Sequence, residues 1–141
     1  MIILDTNVIS ELMREAPNQA VAEWIASHKS FHLALTTISI AEIQRGLARL
    51  PKGKRRTELE SNFSSFIKQA FSGRIYTFDE DAAYTYGNVS MQRETIGLHA
   101  DAVDMMIAAI ATSQNASIAT RNVKDFEECG VHIINPWDYV S

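Results

Sequence analysis

The chain has 141 residues, 46% of them hydrophobic, and a formal net charge of −4, a size that one compact core accommodates without a second domain. That charge excludes a global attraction to nucleic acid, so a polyanion partner requires a local basic patch or a bound cation. A lone Cys129 excludes an internal disulfide, the apolar run before Asp5 is too short for a secretory signal, and the apolar stretch at 102–111 is too short to span a bilayer, so the sequence reads as a cytoplasmic protein with no membrane contact.

In chain order, the apolar run Ile2–Leu4 reads as a buried strand that stops abruptly at Asp5-Thr6-Asn7. A helix is expected after Pro17, through Trp24 and Ile25, followed by a strand at 31–35 and a second helix from Ile40 to Leu50. The segment 51–56, PKGKRR, carries Pro, Gly and four charges and reads as an exposed turn. The next helix, 55–71, places Leu59, Phe63, Phe66, Ile67 and Ala70 on one face. A strand at 74–78, helices after Asp79 and Asp101, and strands at 117–120 and 132–135 complete the order. Alternation of strand and helix nearly from end to end argues for an α/β fold, a parallel sheet covered by helices on both faces.

Four acids stand at equivalent points of this alternation. Asp5 ends the first strand, Glu42 follows ALTTIS, Asp104 opens the apolar helix and Asp125 follows SIATRN. Helix capping accounts for each alone: 39–42 (SIAE) fits a Ser-x-x-Glu capping box, and 101–104 (DAVD) and 122–125 (NVKD) place an acid three residues after a cap. Jointly, the alternation brings these points to the carboxyl rim of the sheet, where open parallel sheets bind ligands. Crowded carboxylates raise one another's pKa values unless a cation offsets them. Oxygen donors without a His or Cys cluster suit Mg²⁺ or Mn²⁺, and the natural chemistry is phosphodiester hydrolysis by metal-activated water. Thr6, Asn7 and Asn122 carry short polar groups that either support the acids or cap the next turn. Asp101 reads as an N-cap and is left outside the site.

These strings resemble those of the PIN-domain family, in particular the VapC and FitB type of toxin ribonuclease from bacterial toxin–antitoxin systems. ILDTNVISEL at 3–12, ISIAEIQRGL at 38–47, DMMIAAIA at 104–111 and ATRNVKDFE at 119–127 look like its four motifs in order. The resemblance covers essentially the whole chain, 1–141. It implies a PIN-like three-layer α/β/α sandwich with a central, mainly parallel sheet. It makes Asp5, Glu42, Asp104 and Asp125 the catalytic, metal-binding acids of a Mg²⁺-dependent endoribonuclease, with Mn²⁺ as a substitute. Asp125 lies in the family's most variable motif, and its direct role stays open against Asn122 or a capping role. The resemblance also implies an RNA substrate, tRNA or another translation-related RNA, and a homodimer. Its expected partner is a cognate antitoxin of the VapB or FitA type, through which alone promoter DNA is bound.

Arg45 and Arg49 share a helical face just beyond Glu42, and Arg121 adjoins the last motif; all three are candidate substrate contacts, with a solvated surface role as the alternative. The four His residues lack metal-ligand spacing, and Cys129 has no base partner. Apolar residues around Leu47 and Phe66, expected to be exposed, are the candidate dimer surface. Competing readings remain distinguishable. An aspartate-nucleophile phosphatase typically has a second Asp two residues after the first, where this chain has Asn7. A receiver-like module pairs two acids early and carries a late Lys, which the HIINPW segment at 132–137 lacks. A non-catalytic module could use the same acidic pocket only to bind a protein partner.

Overall fold

The computed structural model describes residues 1–141. Five strands, β1 (Ile2–Leu4), β2 (Leu33–Thr36), β3 (Ile75–Tyr76), β4 (Ser117–Ala119) and β5 (Ile133–Ile134), form one sheet in the order β3-β2-β1-β4-β5. Every pairing is parallel, with Ile3 opposite Ala34 on one side and Ile118 on the other. β1 is central, and the chain winds outward from it in both directions. The strand order therefore reverses at the β1–β4 boundary, the place where such sheets open a crevice at their carboxyl ends.

Seven helices cover the two faces: α1 (Thr6–Leu12), α2 (Gln19–Ala26), α3 (Thr37–Ala48), α4 (Lys54–Phe71), α5 (Glu80–Glu94), α6 (Ala102–Ser113) and α7 (Val123–Phe126). Strand side chains alternate between two cores. Ile3, Ala34 and Ile118 pack with α5 and α6 residues such as Val89, Met105 and Ile110. Leu4, Leu35 and Ala119 pack with Val8, Trp24, Phe63 and Phe71 from α1, α2 and α4. Both faces are thus dry, which is why the strands read as short unbroken apolar runs. The three-layer α/β/α sandwich expected from the sequence is the fold observed, and the mainly parallel sheet is wholly parallel.

The local differences have physical reasons. The segment 31–35 is extended only from Leu33, because Ser30–His32 turns as a 3-10 helix first. In 51–56, only the first half is a turn: Lys54–Arg56 is already the first turn of α4, held by Arg56 Nε on Glu60 at 2.6 Å. The helix expected from Ile40 starts at Thr37. Its N-cap is Thr36, whose hydroxyl accepts from the Ser39 N–H at 3.1 Å, so the Ser39–Glu42 capping box does not form. Thr36→Ala is expected to cost about 1 kcal/mol of stability, the usual loss for a removed cap, read as a lower midpoint in urea; the same change at Ser39 should cost less. Leu47 and Phe66 are half-buried against the second core rather than exposed. The exposed large apolar side chains lie elsewhere, including Met91, Ile96 and Leu98 near the end of α5.

Candidate metal-binding site and its relatives

The site is built where β1 and β4 stop. Asp5 follows β1 directly and caps α1, its Oδ1 accepting the Thr6 N–H at 2.8 Å. Its Oδ2 accepts from the Thr120 hydroxyl at 2.8 Å and from Asn7 Nδ2 at 3.2 Å. Asp5 is 5% exposed, so a carboxylate is sunk to the floor of the crevice and satisfied mainly by neutral donors. Burial raises its pKa, the Thr120 and Thr6 hydrogen bonds pull it back down, and the Glu42 charge adds to the rise.

Glu42 reaches the same place from α3. Its Oε1 accepts from the Thr6 hydroxyl at 2.7 Å, so Thr6 holds two acids at once, one through its backbone and one through its side chain. Glu42 lies six residues beyond the Thr36 cap, past the first turn of α3, and a capping role is therefore removed for it. Asp104 stands in the first turn of α6, a helix otherwise free of charge and largely buried. Asp101 is the N-cap there, its Oδ2 accepting the Asp104 N–H at 3.0 Å. The Asp104 carboxylate itself receives no hydrogen bond. Burial, followed by the charges of Asp101, Asp5, Asp125 and Glu42, raises its pKa from 3.8 to about 7. Five acids therefore act on one rim, and two of them, Asp104 and Asp125, receive no hydrogen bond on their carboxylates.

Asp125 and Asn122 are exposed on α7. Asn122 is its N-cap residue but makes no side-chain capping bond; its N–H donates to Thr120 Oγ1 at 3.0 Å and its carbonyl accepts the Asp125 N–H at 3.0 Å. The expected support from Asn122 is thus backbone alone. Asn7 does hold the site: besides Asp5 it donates to Thr120 Oγ1 at 3.2 Å, and its Oδ1 accepts the Arg121 N–H at 3.0 Å. Arg45 and Arg49 are exposed on α3 beyond Glu42, with no ion pair. Arg121 is exposed with its guanidinium over the Trp137 ring, 5.1 Å from the centroid. His28 and His132 bond the Trp24 carbonyl and the Ser117 hydroxyl and do not face each other. The Cys129 thiol is buried, which pushes its pKa up and keeps it inert.

Two residues escaped sequence reasoning. Thr120 is fully buried and binds Asp5, Asn7 and the Asn122 backbone together; its signal was its place at the end of β4, next to β1. Arg93 at the end of α5 is 5% exposed and donates to the carbonyls of His99, Lys124 and Glu127. One guanidinium thus ties the segment before Asp101 to the short helix carrying Asp125. Nothing local in the sequence marks it, because its partners are backbone carbonyls, two of them more than thirty residues away. Thr120→Val is expected to raise the Asp5 pKa further by deleting the bond that lowers it. Divalent-ion affinity, titrated calorimetrically near neutral pH, should fall about 10-fold or more; an unchanged affinity would separate Thr120 from the site's function.

The donor set is entirely oxygen, which fits Mg²⁺ or Mn²⁺ and not a structural zinc. No three His, Cys, Asp or Glu side chains are drawn together into a ready-made ion cage. Oxygen donors spread in this way suit an ion that keeps part of its water shell, as Mg²⁺ does. No helix is long and apolar enough to cross a membrane.

Comparison with known proteins agrees with this geometry. Residues 2–130 match the family model described as PIN domain. The chain is 41% identical over 138 residues to VapC ribonuclease Y4jK of Sinorhizobium fredii, covering 98% of this chain and 99% of that protein. It is 38% identical over 137 residues to Toxin FitB of Neisseria gonorrhoeae, covering 97% and 99%. The solved structure of FitAB bound to an IR36 DNA fragment superposes with a TM-score of 0.92 at 37% identity, covering 100% of this chain and 99% of that one. The parallel sheet with its acidic switch-point rim and the near full-length similarity lead to one conclusion: the chain belongs to the PIN-domain family.

Proposed function

We propose that this protein is a metal-dependent endoribonuclease and the toxin component of a VapBC-type toxin–antitoxin pair. The observation that carries the reading is the carboxylate rim at the β1–β4 switch point, where Thr6 bonds both Asp5 and Glu42 and the charges of both reach Asp104. The relatives that share almost the whole chain bear the names ribonuclease and toxin, and related solved structures hold a toxin with an antitoxin and DNA. By that likeness the partners are an RNA substrate, tRNA or another translation-related RNA, and a VapB or FitA-type antitoxin that alone contacts promoter DNA. A homodimer and a single domain over 1–141 belong to the same reading.

Asp5, Glu42 and Asp104 would hold Mg²⁺, or Mn²⁺ in its place, with Asp125 on α7 as the fourth acid of the rim. When bound, the ion supplies an activated water nucleophile and offsets charge on the phosphate. The chain's own residues do the rest. Thr6 bonds both Asp5 and Glu42, Thr120 and Asn7 hydrogen-bond Asp5 and oppose the rise in its pKa that burial causes, and Arg45 and Arg49 offer positive charge to the RNA backbone beside Glu42. The test is incubation of purified, antitoxin-free protein with total tRNA and other cellular RNAs, in Mg²⁺, in Mn²⁺ and in EDTA. Cleavage to 5′-phosphate ends that EDTA abolishes supports the reading, and undiminished cleavage in EDTA overturns it.

A further inference from the structure

Beside the acidic rim, Arg121, Asn122, Lys124, Asp125, Asn135 and Asp138 line an open cleft of about 560 Å³. Arg121 is anchored at its edge. Its N–H bonds the same Asn7 side chain that bonds Asp5, so the residue is fixed one hydrogen-bond relay away from the buried carboxylate. The guanidinium lies over the Trp137 ring, which packs against the second core, while the backbone beside it is fixed: Pro136 is buried, and Asn135 Oδ1 accepts the Trp137 backbone N–H at 3.0 Å. Although three acids, including Glu127, line the cleft, Arg121 pairs with none; the chain's ion pairs all lie elsewhere. An exposed guanidinium is left over an indole ring with no acid paired to it.

The charge around it selects the ligand. Arg121 and Lys124 face Asp125, Glu127 and Asp138, so the lining is close to neutral and slightly acidic. Such a lining does not suit a bare phosphate, which calls for clustered cations. It suits a flat, uncharged group with hydrogen-bonding edges, for which the guanidinium plane supplies the stack and the Asn122 and Asn135 amides supply donors and acceptors. We propose that this cleft is a nucleobase subsite, in which an unpaired base of the RNA next to the cleaved bond stacks on the Arg121 plane that Trp137 supports. The proposal rests on the ribonuclease reading and deepens it. Arg121 then reads a base rather than a phosphate, and Trp137 is the residue that holds it flat.

The test uses the shortest single-stranded RNA that the wild-type protein cleaves in Mg²⁺, fluorescently labelled, with binding measured by anisotropy in EDTA. A series of the same strand carries one abasic site at each position in turn. Wild type should lose about 10-fold in affinity when one particular base near the cleaved bond is absent. Arg121→Ala should bind the intact strand about 10-fold more weakly and ignore that abasic site; since the anchoring bond comes from the backbone, the substitution leaves it in place. Arg121→Lys keeps the charge and loses the plane, so it should ignore the abasic site as well. Trp137→Phe keeps a supporting ring and should retain a reduced effect, whereas Trp137→Leu should lose it. An Arg121→Lys variant with the wild-type abasic profile would make the contact a charge on phosphate and overturn the subsite, as would a flat wild-type profile in a protein that cleaves RNA. Failure of wild type to cleave any RNA would overturn the ribonuclease reading itself.

Discussion

Glu42→Gln is expected to reduce RNA cleavage by about 100- to 1,000-fold, the several kcal/mol that a correctly held cation contributes to phosphodiester hydrolysis, without lowering the melting temperature of the metal-free protein, since the lost charge relieves repulsion on Asp5 and Asp104. The second half of this expectation makes the first informative. Glu42 is exposed, lies beyond the first turn of α3 and caps nothing. Its one hydrogen bond, from the Thr6 hydroxyl at 2.7 Å, can be accepted equally by a Gln carbonyl oxygen. The substitution therefore removes charge and nothing else. Asp5→Asn should match it in lost activity but not in clean structure, because the amide presents donors toward Asn7 Nδ2, itself a donor. A circular-dichroism melt for each variant, beside cleavage with Mg²⁺ titrated to saturation, checks the pair. Full cleavage by Glu42→Gln at ordinary Mg²⁺ would remove Glu42 from the ion.

How far the site was legible follows from the range of the interactions involved. Asp5, Asp104 and the strands beneath them are marked by local signals: an apolar run cut by an acid, and a lone charge in an apolar helix. The alternation implies a parallel sheet covered by helices on both faces, while the strand order and the switch point come from the structure. The capping box at Ser39 misled because Thr36 and Ser39 both precede the apolar pattern with cap-forming hydroxyls. Both are fully buried; what decided between them is that β2 ends at Thr36, whose backbone is still extended where α3 begins, and the end of a strand is set by its pairing in the sheet rather than locally. Thr120, Arg93 and the Arg121–Trp137 stack depend on partners 16 to 115 residues distant or on carbonyls that every residue has. One sequence carries no signal for these. Asp125 is intermediate: its spacing after β4 is visible, yet α7 has only four residues, and Arg93 does part of the work of placing it.

Asp104→Asn should make the metal-free protein more stable above neutral pH while abolishing cleavage, and the sign of its pH dependence follows from the rim. The Asp104 pKa stands at about 7 in the folded chain against 3.8 ordinarily, so between those values the folded state holds a proton that the unfolded state has released. Stability of the metal-free wild type must then fall as pH rises from about 4 to 7 and level off above, the reverse of the usual paired carboxylate. Asp5, also raised by burial, contributes in the same direction. Because Asp104 is half-buried, water screens part of the repulsion, and the slope will be shallower than a fully enclosed carboxylate would give. Asn at 104 removes that contribution to the slope and the repulsion with the four other acids. Mg²⁺ acts on the same term by a different route: binding only the folded state, it should stabilise wild type by about 2.7 kcal/mol at a hundredfold excess over Kd. It should do much less for Asp104→Asn. Urea midpoints measured from pH 5 to 8.5, in EDTA and in Mg²⁺, give all four comparisons. A wild type whose metal-free stability rises through this range would mean that the acids are not held together as the rim requires. The opposing effects on stability and cleavage have one cause, since the charge that destabilises the empty rim is the charge that holds the ion.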